Sequence, residues 1–177
     1  MPPLALIDEV SAELLHKAMK QARADQGARY REQPQDRVLA AMVEKTGRLG
    51  RKVGQGFYDY PAQGARRLWP GLAELFPVAD QQPTVDEVRE RLMYAQSLEA
   101  ARCVAEGIVS PRDADVGSIL GWGFPAVLGG ALGQIDTVGA AAFVQACDRL
   151  ARLHGPRFEV PEALRRMAAE GRRHHAA

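Results

Sequence analysis

"EGIVSPRDADVGSILGWGFPAVLGGALGQIDTVG", residues Glu106 to Gly139, is the stretch on which the fold turns. Its centre, Gly121 to Ala126, matches G-x-G-x-x-A, the spacing of a dinucleotide-binding loop. Such a loop leaves a β-strand and opens a helix whose N–H groups hold pyrophosphate, with an acidic ribose reader on a second strand. Here Ser110-Pro111 starts a helix, with proline in its first turn. The glycine-rich bend then leads into "QIDTVGAAAFVQACDRLARLHG", a helical pattern ending near His154-Gly155. Helices on both sides make this a helix–turn–helix junction, and a nicotinamide site at Gly121 does not fit.

Outward from that junction the pattern stays helical. Upstream, Leu14, Leu15, Ala18, Met19 and Ala22 recur at three- and four-residue spacing, with Ser11 as N-cap and Gly27 as stop. A helix after Pro34 carries Val38, Leu39, Met42 and Val43 inward and ends at Gly47. Residues 61–83 form a proline-rich connector, with a helical turn or two in the apolar run Leu68 to Phe76. Thr84 and Glu87 have the spacing of a capping box at the head of a long helix that stops at Gly107. Its apolar face, Leu92, Ala95 and Leu98, is expected to cover the helix from Thr137 to Leu153. Pro161 opens a last helix, "PEALRRMAAEG", and residues 172–177 are expected to fray. The predicted class is all-α.

One internal echo organises these helices. "LALIDEVSAELLHKA" (Leu4 to Ala18) aligns without gaps to "LGQIDTVGAAAFVQA" (Leu132 to Ala146), an offset of 132 − 4 = 128 residues. Both place Ile-Asp-x-Val before a helix and then reach a second helix with Leu-x-x-Met, Leu39 to Met42 and Leu164 to Met167. Two copies of one helical unit are predicted: 1–60 as a partial first copy, 61–83 as connector, and 84–171 as the second. The second is preceded by helix, turn and helix from Thr84 onward, so the first is expected to lack that half.

Composition restricts the chemistry. With 177 residues, net charge +1 and 25% charged residues, no global field favours nucleic acid. No apolar run approaches the ~20 residues of a membrane span. Cys103 and Cys147 lie in apolar helical patterns, consistent with buried thiols in a reducing cytoplasm, and two distant cysteines make no metal site. None of the four histidines has a carboxylate partner evident in sequence, so no catalytic residue is predicted in this chain. Asp113 and Asp115 are read as complements to a helix dipole, and Asp8 and Asp136 as braces for the helices that follow them.

The second glycine-rich stretch, "GRLGRKVGQGFYDY" (Gly47 to Tyr60), lacks the Gly-Lys-Ser/Thr ending of a phosphate loop. It resembles the G-[KR]-K-x-G-x-G-F-Y-x-Y element of 3-hydroxyacyl-CoA dehydrogenases. The Glu106–Gly139 stretch is similar to a second element of the same family, E-E-G-x5-D-x-D-x5-G-x-G-F-P-x3-G-G-x5-D-x2-G. The pattern resembles that of the α subunits of fatty-oxidation complexes, which join an enoyl-CoA hydratase to the dehydrogenase and carry the helical domain twice.

That resemblance implies the helical C-terminal fold shared with 6-phosphogluconate dehydrogenase, present as two copies with the first truncated. It implies a structural turn at Lys52, Gly54, Gly56, Phe57 and Tyr58, and substrate-side residues at Leu120, Gly123, Phe124 and Pro125. Leu120 stands where the family has a substrate-contacting tyrosine. In the family an upstream Rossmann domain binds NAD and carries a His–Glu pair, assisted by an Asn on the first long C-terminal helix. All three would precede Met1, so this chain is expected to bind no cofactor itself and to be inactive alone. The implied partners are that Rossmann domain, an acyl-CoA substrate and a possible homodimer, the last through Leu15 or Met19. The rival expectation is a non-enzymatic helical interaction or acyl-CoA-binding module.

Overall fold

A computed structural model describes residues 2–175. The chain forms two compact units, residues 1–80 and 81–177. Nine α-helices and one two-stranded hairpin make up the regular structure among the described residues.

In the first unit, α1 (Pro3–Val10) and α2 (Ala12–Gln26) meet at Ser11, whose φ of 86° is the one positive value at a described non-glycine residue. Ser11 does not cap α2 as its position suggests. Its hydroxyl donates instead to the Leu49 carbonyl at 3.1 Å, tying the helix junction to the turn that follows α3. Gly27 ends α2 as predicted. The third helix, α3 (Pro34–Ala40), starts at Pro34 and continues as a π-helical turn over Ala41–Lys45, burying Leu39 and Met42.

β1 (Tyr58–Asp59) pairs antiparallel with β2 (Arg67–Leu68), and the Trp69 amide donates to the Phe57 carbonyl at 2.9 Å. The expected extended segment near Gly56 therefore exists, but its partner strand comes from the predicted connector. That segment, including α4 (Leu72–Leu75), belongs to the first unit up to Asp80.

The second unit is a helical array around one apolar core. Thr84 accepts the Glu87 amide at 3.1 Å and starts α5 (Val85–Ala105). Ser110 accepts the Asp113 amide at 3.2 Å and starts α6 (Pro111–Trp122). The single helix expected from Gln134 to His154 is two, α7 (Ala131–Val138) and α8 (Ala140–His154). Gly139, at φ 89°, breaks them in a conformation that L side chains rarely adopt. The array ends in α9 (Glu162–Ala169).

Leu98, Phe124, Leu132, Ile135, Phe143, Cys147, Leu150 and Leu164 are all buried in this core. α5 reaches α7 through a buried Ser97–Gln134 hydrogen bond of 2.7 Å and α8 through Tyr94, whose ring centroid lies 4.6 Å from that of Phe143. Its inward face is thus Tyr94, Ser97, Leu98 and Ala101, while Leu92 points outward at 57% exposure.

Candidate functional site

The glycine-rich turn of the first unit closes on a single carboxylate. Asp8, 1% exposed, accepts the Phe57 amide at 2.8 Å, the Tyr58 amide at 2.9 Å and the Tyr60 hydroxyl at 2.9 Å. Three donors on one buried carboxylate compensate the cost of removing its charge from water. Gly56 is required by that geometry: a Cβ there would fall 2.0 Å from Asp8 Oδ1. Gly54, at φ 77°, supplies the left-handed turn.

Burial first, then the Asp8 hydrogen bond, pushes the Tyr60 hydroxyl up to about 12. Arg48, 6% exposed, donates to the Gly56 carbonyl at 2.7 Å and the Tyr58 carbonyl at 3.2 Å, pairs with Asp59, and lies 4.4 Å from the Trp69 ring. Lys52 is exposed, and Phe57 is a core residue. The turn is held by charge and hydrogen bonds.

The second unit repeats the device with different residues. Asp136 accepts the His174 amide at 2.9 Å and the His175 amide at 3.0 Å. Both aspartates therefore receive two consecutive backbone N–H groups from a segment of their own unit distant in sequence, rather than bracing the helix that follows. Residues 172–175 of the predicted frayed tail are accordingly tied down; 176–177 lie outside the described residues. Asp115 is not a dipole complement either. It is 6% exposed and accepts Leu132 N–H at 2.6 Å and Gly133 N–H at 3.2 Å, capping α7, with the His175 imidazole at 2.6 Å.

The four predicted substrate-side residues do not share one surface. Leu120 is 81% exposed on α6, Gly123 ends that helix at φ 77°, and Pro125 lines a cleft beside α5. Phe124 is 3% exposed in the core, so it offers no apolar surface to a ligand. A helix precedes Gly121–Ala126 and a short turn, Ala126–Leu128, follows it, so these residues do not fit a nicotinamide pyrophosphate. Among the described residues no group of three metal-binding side chains gathers, and no helix is long and apolar enough to cross a membrane.

Three histidine–carboxylate pairs lie outside the reach of the sequence pattern: His16–Glu44 at 3.0 Å, His154–Glu87 at 3.4 Å and His175–Asp115 at 2.6 Å. Lys20 and then His16 hold the Glu44 carboxyl below its ordinary range.

Comparison with known proteins agrees with this architecture. The model of the 3-hydroxyacyl-CoA dehydrogenase C-terminal domain matches residues 1–60 and 88–177. The chain belongs to that family. Among its relatives is fatty acid oxidation complex subunit alpha of Shewanella halifaxensis, 36% identical over 177 residues, 97% of this chain and 24% of that one. The protein of the same name from Shewanella oneidensis is 36% identical over 174 residues, covering 95% of this chain and 24% of its own length. This member of the family thus spans about a quarter of the relatives it matches. The dehydrogenase part of multifunctional enzyme 1 from C. elegans shares the fold, with a TM-score of 0.59 at 15% identity over 94% of this chain and 38% of that one.

Proposed function

We propose that the chain serves as the C-terminal region of an NAD-dependent (3S)-hydroxyacyl-CoA dehydrogenase acting in fatty-acid β-oxidation. The observation that carries this is the 36% identity to fatty-oxidation α subunits across nearly the whole chain. In this reading the nicotinamide, the His–Glu pair and the assisting Asn belong to other parts of a longer enzyme. The residues here close and brace the acyl side of its cleft. The isolated chain is inactive, and titration with NADH gives no saturable change in nicotinamide fluorescence; micromolar affinity overturns that point.

The two units are, on the same proposal, two copies of one module. Asp8 and Asp136 support this: they coincide in the 128-residue echo and each receives two consecutive backbone N–H donors. Ser11 and Gly139 support it too, as residues at the same offset with φ 86° and 89°.

The exposed apolar side chains of the first unit, Leu6, Val10 and Leu14, with Leu15 and Met19 half-buried beside them, suit self-association through α1 and α2. A monomer at every accessible concentration in sedimentation overturns that part. The functional test is made in the longer enzyme. Removing the residues that correspond to 81–177 should abolish 3-hydroxyacyl-CoA oxidation, and full activity without them contradicts the proposal. Leu120→Tyr, at an exposed position, should lower KM for the acyl-CoA; an unchanged KM removes Leu120 from the substrate side.

A further inference from the structure

A cavity of about 450 Å3 lies in the second unit where the C-terminal end of α5, the start of α6, α9 and the segment after α9 meet. Small-molecule sites are of this size. Val104, Pro111, Leu164 and Met167 give it apolar walls, and the short side chains of Ala101, Ala105 and Ala163 keep those walls flat.

Its charge is one-sided. Arg166, Arg172 and Arg173 line it against one carboxylate, Glu170, which pairs with Arg172 at 2.9 Å. Arg166 has no ion-pair partner among the described residues. Arg173 reaches only the Asp136 main-chain carbonyl, at 3.4 Å. Asp115 and Asp136 do not line the cavity; their oxygens take backbone N–H groups and the His175 imidazole. Those bonds hold the segment after α9 in place, so Arg172, Arg173 and His174 stand as one wall. The Nε2 of His174 is buried with no described partner, and burial pushes its imidazole below the ordinary histidine range.

We propose that this cavity binds a small aromatic carboxylate, its ring against Val104, Leu164 and Met167 and its carboxylate between Arg166 and Arg173. Two uncompensated guanidinium groups select an anion. A planar guanidinium pairs a carboxylate and also stacks on an aromatic face. Flat walls suit a rigid ring, which loses less freedom on binding than a flexible chain.

The test is calorimetric titration of the full chain with 2-naphthoate, beside 2-naphthamide, acetate and octanoate. Naphthoate binds saturably with Kd below about 1 mM. The amide, without the charge, and acetate, without the ring, each bind at least about fivefold more weakly. Octanoate, flexible and without a π-face, binds at least about threefold more weakly. Arg166→Gln, at an exposed side chain, weakens naphthoate roughly two- to fivefold. Ala163→Asp, in the first turn of α9 where an acidic residue suits the helix, weakens it at least about threefold. Arg152→Gln, exposed on α8 and not lining the cavity, changes nothing. Saturation also raises the titration midpoint of the His174 imidazole, read by NMR, because a nearby anion favours the imidazolium. No saturable binding, equal binding of the amide or of octanoate, or indifference to both Arg166→Gln and Ala163→Asp overturns the proposal. The titration needs no turnover, so its outcome is independent of the dehydrogenase reading.

Discussion

The two units are fastened by the same device and filled by different chemistry. Each has an aspartate in an Ile-Asp-x-Val helix that receives two successive N–H groups from a segment of its unit distant in sequence. In the first unit that carboxylate is buried, and a buried arginine stands beside the same strand, so charge does much of the work that side-chain packing does elsewhere. In the second, Phe143, Leu150 and their neighbours form a continuous apolar core, and Asp136 is half-buried at its margin. A module with few apolar residues can thus be held by a satisfied polar network. Such a network is intolerant of losing any one member.

The largest expected effect is in the apolar core. Phe143→Ala should cost about 3–5 kcal/mol and open the second unit first. Cys147, buried at 0% exposure with its thiol pushed up to about 12 by burial, reports that opening, since a thiol-specific reagent reaches it only when the core opens. Labelling of Cys147 at the wild-type rate in Phe143→Ala would mean that the core does not depend on this ring.

Asp8→Ala comes next. It strands buried donors at Phe57 and Tyr58 and should cost about 3 kcal/mol. Gly56→Val attacks the same clamp from the other side by displacing the carboxylate, for roughly 2 kcal/mol. Because both break one interaction, the double variant should lose clearly less than the sum. Additive losses would separate the turn from the clamp. Asp136→Ala, at a half-buried site, should cost only about 1 kcal/mol, and a loss equal to that of Asp8→Ala would erase the contrast between the units.

Much of this architecture is legible in the sequence. Proline and serine or threonine starts at α3, α5 and α6, and glycine stops at Gly27 and Gly107, follow from local backbone chemistry. The echo singles out Asp8 and Asp136, but not their role. A carboxylate's partners 38 to 50 residues away are a property of the closed chain, and helix-start rules speak only of neighbours. The same limit hides Asp115 as a cap for α7, and it hides β2, whose partner strand lies across an intervening loop. Phe124 misleads for a different reason. A large apolar residue in a glycine-rich bend reads equally as a ligand surface or as an anchor, and only packing decides.

The smallest prediction is a titration. Tyr60 is pushed up to about 12, so the folded state holds the phenolic proton more tightly than the unfolded chain does. Its contribution is fully present below pH about 10 and is lost as pH rises toward about 12. Asp8→Ala removes one of the causes, so tyrosinate absorbance should develop at lower pH in that variant. An unshifted curve would detach Tyr60 from the clamp.

The most direct test of the paired clamps is amide hydrogen exchange, residue by residue, in the wild type and the two alanine variants. Asp8→Ala should accelerate exchange at Phe57 and Tyr58 and leave His174 and His175 unchanged. Asp136→Ala should accelerate exchange at His174 and His175 and leave Phe57 and Tyr58 unchanged. Unchanged exchange at the amides facing a removed carboxylate, in either unit, would contradict the account.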